Sequence, residues 1–250
     1  MKHILYAWLA VIMLTACHKA QPKAVDISPK LQAAANDTTI YGLVCDGSND
    51  TILVFLHDPY DGSDPDTVNI LDASKQQRVF GTLRIGDKLA LLLDTADATK
   101  ASLVIITEDL LGQWCYKVKP TLRRKAGMEG YSTSHAIAML PDSIQKLMEE
   151  EREYGFTLKI DSQVMPIGQR VRAQTTDEES PIEYPVPKRY MQWYLQNGHL
   201  MLAEMTPDSL GNLIPAATDT TEIVALTPDS LVLRFPDGEQ GYYRKADTEE

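Results

Sequence analysis

The residues with the clearest chemistry lie near the start of the chain, at Leu14-Thr15-Ala16-Cys17. They follow a basic residue, Lys2, and an apolar run over residues 4–14. The small side chain of Ala16 lets a signal peptidase reach the next peptide bond. The thiol of Cys17 can accept a diacylglyceryl group through a thioether. The pattern predicts a bacterial lipoprotein signal peptide over residues 1–16 and lipidation of Cys17.

An uncleaved transmembrane helix is the alternative for this segment. A spanning helix needs about 20 apolar residues, whereas this run is shorter and ends at small residues before a cysteine. Acyl chains on Cys17 would instead tether the mature protein to a membrane without spanning it. Residues 17–37 are polar and contain two prolines, so we expect a flexible linker between the lipid and the first domain.

The residues that follow Cys17 indicate where the anchor resides. His18, Lys19 and Lys23 are basic or polar, and no aspartate directly follows the cysteine, which argues against retention in the inner membrane. The acidic run that surface-displayed lipoproteins of the Bacteroidetes type often carry is missing. We therefore expect the periplasmic face of the outer membrane rather than the cell surface.

The composition sets broad limits on fold and partners. The chain has 250 residues, enough for one large or two small domains, and 44% of them are hydrophobic, enough for a folded core. The net charge of -11 repels phosphate backbones, so we expect no nucleic-acid partner.

Two cysteines remain once Cys17 carries lipid, namely Cys45 and Cys115. An oxidising compartment permits a disulfide between them, which would staple two parts of the chain. Two buried thiols that pack as small hydrophobic groups fit the sequence equally well, since spacing alone does not reveal pairing.

Residues 38–108 have the pattern of a small β domain. Short β-branched and apolar segments alternate there with turn sequences such as Asp46-Gly47-Ser48-Asn49-Asp50 and Ile85-Gly86-Asp87. Five short strands in about seventy residues predict a small barrel or sandwich, and the strand count suggests an OB-like arrangement.

Residues 109–250 have the pattern of a second β domain. Asn197-Gly198 and Asp237-Gly238 each separate two apolar segments, which is the signature of tight hairpins. Repeated hairpins with little helix predict an up-and-down β-barrel.

Two segments interrupt this β pattern. Apolar residues recur at helical spacing over residues 142–154, between a capping pair, Asp142-Ser143, and Gly155, which predicts a short helical insertion. Residues 170–188 are charged and proline-rich and predict a long loop.

The second domain resembles the lipocalin-like domain of Bacteroidetes lipoproteins. The similarity begins with Gly112-Gln113-Trp114, which matches the lipocalin G-x-W signature, and extends over about residues 109–250. The other matching segments are Gly155-Phe156-Thr157-Leu158, Tyr190-Met191-Gln192-Trp193, Leu226-Thr227-Pro228-Asp229-Ser230-Leu231-Val232-Leu233 and Tyr242-Tyr243-Arg244-Lys245. The resemblance implies a fold more than an activity.

The resemblance also implies a structural role for three residues. The G-x-W tryptophan, Trp114, would close one end of the barrel, and Arg244 from the last strand would pack over its ring within about 6 Å. Gly112 would allow close backbone approach where the chain enters the barrel. The alternative is that Trp114 is an ordinary core residue and Arg244 a solvated one.

No motif in the chain specifies catalysis or a metal. The chain has no G-x-S-x-G elbow, no G-x-G-x-x-G and no P-loop, and its histidines lack zinc-ligand spacing. The acidic segment 58–66 could supply oxygen ligands to calcium, but its spacing is not that of an EF-hand, and a solvated loop is the favoured interpretation. We therefore assign no catalytic residue, no metal ligand and no cofactor.

One hairpin carries side chains that could line an apolar cavity. Alternation should direct about half of them into the barrel, where they would line a ligand cavity or simply fill the core. These residues are Tyr190, Met191, Trp193, Tyr194, Met201 and Met205.

Two functions are compatible with these patterns. The first is a membrane-anchored envelope lipoprotein that binds a small apolar ligand in its barrel without catalysis. The alternative is a structural or assembly subunit that docks an envelope protein complex. An enzyme ranks third because no catalytic motif is present.

Overall fold

The computed structural model describes residues 36–123, 137–138, 140–168 and 182–246. The predicted signal peptide, Cys17, almost all of the linker and most of the predicted loop 170–188 lie outside these residues. No helix in the described ranges is long and apolar enough to cross a membrane.

The described chain is all-β with three short helices. The strands are β1 Ile40–Val44, β2 Ile52–His57, β3 Asp66–Asn69, β4 Val79–Phe80, β5 Lys88–Leu93, β6 Ala101–Ile106, β7 Gly112–Val118, β8 Thr121–Leu122, β9 Arg152–Leu158, β10 Val164–Ile167, β11 Ile182–Glu183, β12 Gln192–Gln196, β13 His199–Pro207, β14 Leu213–Leu226, β15 Ser230–Phe235 and β16 Gly238–Lys245. The helices are α1 Leu71–Lys75, α2 Thr107–Leu110 and α3 Asp142–Leu147.

The first six strands form one curved sheet in the order β3-β2-β1-β5-β6-β4. A parallel bridge between Asn69 and Lys100 brings the end of β3 to the start of β6, so the sheet curls back on itself. The order of β1, β2, β3, β5 and β6, with α1 between β3 and β5, is that of an OB-like barrel. This arrangement agrees with the OB-like barrel that the strand count suggested.

The second sheet is an eight-stranded up-and-down barrel. Its order, β10-β9-β7-β16-β15-β14-β13-β12, follows the chain except where β16 pairs with β7. A bridge between Gln163 and Gln192 joins the two edges. There the Val164 N–H donates to the Met191 carbonyl oxygen at 2.9 Å. The all-β, up-and-down barrel architecture predicted from the repeated hairpins is confirmed.

The predicted helix over residues 142–154 is wrong in its second half. Helix α3 ends at Leu147, and β9 begins at Arg152. Tyr154 and Phe156 are buried on alternate positions of β9, so the period of two seen beyond Gly155 extends back through it. Gly155 does not stop a helix: a Cβ there would lie 1.9 Å from the Trp114 carbonyl oxygen, so glycine permits close approach of β9 to β7.

The first barrel packs on one end of the second. Phe80, Ala90, Leu103 and Ile105 share a single buried core with residues of the up-and-down barrel. The opposite faces of β5 and β6 line the core of the first barrel, which explains why these two strands are almost continuously apolar. The second barrel is thus closed at the end that faces the first.

The junction of the two barrels is fixed by hydrogen bonds as well as by apolar contact. The Tyr41 hydroxyl donates to the Leu195 carbonyl oxygen at 2.8 Å. The buried carboxylate of Asp109 on α2 accepts from the Thr82 N–H at 2.7 Å and pairs with Arg84.

At the β12–β13 turn, Asn197 and Gly198 both have positive φ, as the Asn-Gly signal predicts.

The disulfide between Cys45 and Cys115 that the sequence allowed is not formed, because both cysteines are free. Cys45 follows β1 in the first barrel, where its thiol lies 3.6 Å from the Leu43 carbonyl oxygen. Cys115 is fully buried on β7 of the second barrel, and burial raises the pKa of its thiol. The alternative of two unpaired thiols is therefore the correct one.

We expect the unfolded, unreduced mature protein to present two thiols to a thiol reagent. In the native protein, Cys45 should react readily and Cys115 slowly, since only Cys45 is partly exposed. A titration with and without denaturant measures both numbers. Finding no thiol in the unfolded chain would overturn the assignment of free cysteines.

A candidate binding cleft at the open end of the second barrel

Trp114 closes the end of the second barrel that faces the first. Its side chain is fully buried, and the indole N–H donates to the Leu110 carbonyl oxygen at 2.7 Å. The ring packs among residues of both barrels, including Leu103 and Leu200. This burial removes a large apolar surface from water and anchors the start of β7.

Arg244 on β16 lies over the Trp114 ring. The guanidinium carbon is 4.2 Å from the ring centroid, inside the limit of about 6 Å for a cation–π contact. The same guanidinium donates to the carbonyl oxygens of Leu111 at 2.5 Å and Asp109 at 2.6 Å. A Cβ at Gly112 would lie 2.5 Å from Arg244 Nη1, so glycine makes room for this stack.

The hairpin side chains proposed to line a cavity divide between inside and outside. Tyr190 and Trp193 are buried in the barrel core. Met191 is 40% exposed, and Tyr194, Met201 and Met205 are partly exposed. Two of the six residues therefore belong to the buried core, and the other four are at least partly exposed.

A cleft of about 300 Å³ lies at the other end of the barrel, where β15 turns into β16. Its lining comes from four strands and from the segment 186–190 that leads into β12. The lining residues are Tyr116, Gly155, Phe156, Val186, Pro187, Lys188, Tyr190, Phe235, Asp237, Gly238, Glu239, Gln240 and Tyr242. Of the six hairpin residues, only Tyr190 lies in this cleft.

Aromatic rings in mutual contact form the floor of the cleft. Tyr242 is central: its ring centroid lies 5.4 Å from that of Tyr116 and 5.1 Å from that of Phe156. Phe156 in turn contacts Tyr190 at 6.4 Å. Edge-to-face and tilted contacts at such distances hold the rings in fixed orientations. The floor is therefore a preformed apolar surface.

One wall of the cleft is a hydrogen-bonded group of three side chains. The carboxylate of Asp219 on β14 accepts from the Tyr190 hydroxyl at 2.5 Å and from the Lys188 ammonium at 2.7 Å. Burial, together with the hydrogen bond to Asp219, raises the pKa of Tyr190 well above its ordinary value. Burial raises the pKa of Asp219, but the hydrogen bonds from Lys188 and Tyr190 outweigh it and lower that pKa overall. At neutral pH the group is thus a protonated tyrosine, a carboxylate and an ammonium.

The opposite wall carries acidic side chains from the β15–β16 turn. Glu239 forms an ion pair with Arg234, with an oxygen–nitrogen distance of 2.8 Å. Asp237 also lines the cleft, and within the described ranges its carboxylate has neither a hydrogen bond nor an ion pair. The cleft thus combines an apolar floor with charged walls.

The sequence did not identify most of this cleft. Tyr116, Phe156, Phe235 and Tyr242 lie on four different strands, and their inward direction follows from alternation, but which barrel end they reach depends on strand register. The Asp237-Gly238 turn and the hairpin residue Tyr190 were the signals near the site. The acidic segment 58–66 and the two described histidines, His57 and His199, are not among its lining residues. Within the described ranges, no group of three or more His, Cys, Asp or Glu residues is arranged to hold a metal ion.

Comparisons of the chain with protein-family models, with curated proteins and with solved structures found no match. The fold alone therefore defines the class of protein. It is an all-β protein of two barrels, and the second barrel has one closed end and one end with a cleft.

Proposed function

We propose that the protein is a lipid-anchored lipoprotein of the bacterial envelope that binds a small amphipathic molecule at the open end of its second barrel, without catalysis. The observation that carries the proposal is the cleft of about 300 Å³ above a floor of aromatic rings. This volume lies at the lower end of the range for small-molecule sites. The ligand is small because the cleft has only this volume.

The protonation states at the cleft support binding rather than proton transfer. The raised pKa of Tyr190 keeps its hydroxyl protonated at neutral pH, and it is already committed to Asp219. A general base needs a pKa near the working pH, which this tyrosine lacks. Tyr190 and Asp219 are therefore positioned to hold Lys188 and the 186–190 segment against the barrel.

A neutral fluorescent dye such as N-phenyl-1-naphthylamine tests the binding proposal. We expect saturable binding by wild type, and about tenfold weaker binding by Phe235→Ser, because a lining ring is lost. Ile160→Ser is the control, since Ile160 is 71% exposed on the β9–β10 turn, away from the cleft. Absence of dye binding by wild type, or equal dye affinity of Phe235→Ser and Ile160→Ser, would contradict the proposal.

The membrane anchor is proposed from the sequence pattern at 14–17. We expect Cys17→Ser to release the protein from membranes or to leave an unprocessed precursor. Fractionation of envelopes and migration on a denaturing gel measure both outcomes. A variant that fractionates and migrates like wild type would contradict lipidation at Cys17.

One feature favours the second function, a docking subunit. Residues 204–207 of β13 and 213–217 of β14 pair only with each other, as an arm that extends beyond the neighbouring strands. Leu210 at its tip is 85% exposed and Ile214 is 44% exposed. Exposed apolar residues on a projecting hairpin suit contact with a protein partner. Loss of a high-mass species on a native gel of envelope extracts in Leu210→Asp would support this function, and identical migration would argue against it.

A further inference from the structure

The charges that face the cleft are predominantly negative. Among the lining residues that the structure describes, Lys188 is the single basic one, and it forms an ion pair with Asp219. The charges of Asp237 and Glu204 also raise the pKa of Lys188. Glu239 forms an ion pair with Arg234. Within the described part of the chain, the exposed carboxylate of Asp237 has neither a hydrogen bond nor an ion pair within 4 Å.

The aromatic floor adds negative electrostatic potential to the same space. The faces of aromatic rings are negative, and they attract cations held within about 6 Å. Five rings, those of Tyr116, Phe156, Tyr190, Phe235 and Tyr242, line a cleft that also holds Asp237. The combination of ring faces and an uncompensated carboxylate favours a positive charge on whatever enters.

Tyr242 also supplies a polar group to the cleft. The residue is only 7% exposed, and within the described part of the chain its hydroxyl makes no hydrogen bond to protein. Gln192 Oε1, not this hydroxyl, is the buried polar atom without a partner among the described residues, so water in the cleft reaches the Tyr242 hydroxyl. A ligand in the cleft can take the place of that water.

We infer that the molecule bound in this cleft is an organic cation, an ammonium that bears apolar substituents. The inference rests on the proposed function, since it specifies the ligand class of the same cleft. The apolar substituents contact the rings of Phe156, Phe235 and Tyr242, while Asp237 faces the positive nitrogen. A neutral ligand would gain nothing from the exposed Asp237 carboxylate, and an anionic one would be repelled by it.

A series of probes with one tail and three headgroups tests the inference. Octyltrimethylammonium, octyl glucoside and octyl sulfate carry the same apolar chain with positive, neutral and negative heads, and each is used below its micelle concentration. Isothermal titration of the whole mature protein should give about tenfold tighter binding for the ammonium than for the glucoside, with the sulfate weakest. Added salt should weaken binding of the ammonium and leave the glucoside unchanged.

Two substitutions that remove charges of opposite sign make the test more specific. Asp237→Asn should weaken octyltrimethylammonium about fivefold without affecting octyl glucoside, and Lys188→Gln should strengthen the ammonium several-fold by removing the competing positive charge. Asp64→Asn is the matched control, because it removes one carboxylate from a loop of the first barrel, outside the cleft. It should leave all three affinities unchanged.

The outcomes separate the inference from the proposed function. Tightest binding of the glucoside or the sulfate, or an Asp237→Asn affinity equal to wild type, would overturn the assignment to an organic cation while leaving the cleft as a binding site. Failure of all three probes, together with failure of the neutral dye, would overturn the binding function itself. If the ammonium binds tightest and Asp237→Asn and Lys188→Gln have the predicted effects, both the inference and the binding function are supported.

Discussion

Arg244→Ala is expected to lower the free energy of unfolding by about 3–5 kcal/mol, because a charged donor is removed from several backbone acceptors at once. The guanidinium bonds the carbonyl oxygens of Leu111, Asp109 and Pro228 and also covers the Trp114 ring. In a chain of this size, such a loss lowers the melting temperature by roughly 6–20 °C. Circular dichroism during heating measures it.

Arg234→Ala is the control for this prediction. Arg234 is also a strand arginine in the second barrel, but its ion pairs with Glu222 and Glu239 are half-exposed, so their loss should cost at most about 1 kcal/mol. Arg244→Lys should recover part of the stability, since an ammonium keeps the charge but not the fork of donors. Equal melting of Arg244→Ala and wild type would show that Arg244 does not lock the closed end.

Gly155→Ala is expected to have the largest effect on folding of any single-methyl addition in the barrel. The new Cβ would lie 1.9 Å from the Trp114 carbonyl oxygen, a backbone atom that cannot move without breaking the pairing of β7 with β9. Overpacking of a core by extra methyl groups already costs about 1–3 kcal/mol, and a backbone clash should exceed that range.

Gly241→Ala makes the same chemical change at an open position of β16, where nothing lies within 4 Å of the new Cβ. Its stability should stay close to that of wild type or rise slightly, because alanine costs less conformational entropy than glycine. Soluble yield and denaturant unfolding compare the two variants. A Gly155→Ala protein as stable as Gly241→Ala would contradict the close approach of β9 to β7.

Local patterns in the sequence predicted the barrels, and the resemblance to the lipocalin signature predicted the closed end of the second one. Positions 112, 114 and 244 were recognisable because each requires a specific residue type. Gly112 lacks a Cβ, Trp114 supplies a large ring, and Arg244 supplies a planar group with several donors. Asn197-Gly198 predicted a tight hairpin because both positions require positive φ. The hairpin requirement is satisfied within two residues, so a local pattern can reveal it, whereas the contact of Arg244 with Trp114 joins residues far apart in the sequence.

Features set by distant parts of the chain could not be predicted in the same way. The acidic run before Gly155 has helical spacing, yet pairing with β7 draws residues from Arg152 onward into a strand. The cleft depends on strand register and on the position of the 186–190 segment, which Asp219 fixes through Lys188 and Tyr190. Whether Cys45 and Cys115 meet depends on how the two barrels are arranged, which their spacing does not encode.

The central claim is that the second barrel binds a small molecule at its open end, and a nuclear magnetic resonance titration tests it most directly. Amide shifts are followed while N-phenyl-1-naphthylamine is added to the isotope-labelled protein. We predict saturable changes concentrated at Tyr116, Tyr190, Tyr242 and residues 235–240, with Trp114, Arg244 and the first barrel unchanged. Shift changes centred on the closed end or the first barrel, or no saturable change at all, would contradict the claim.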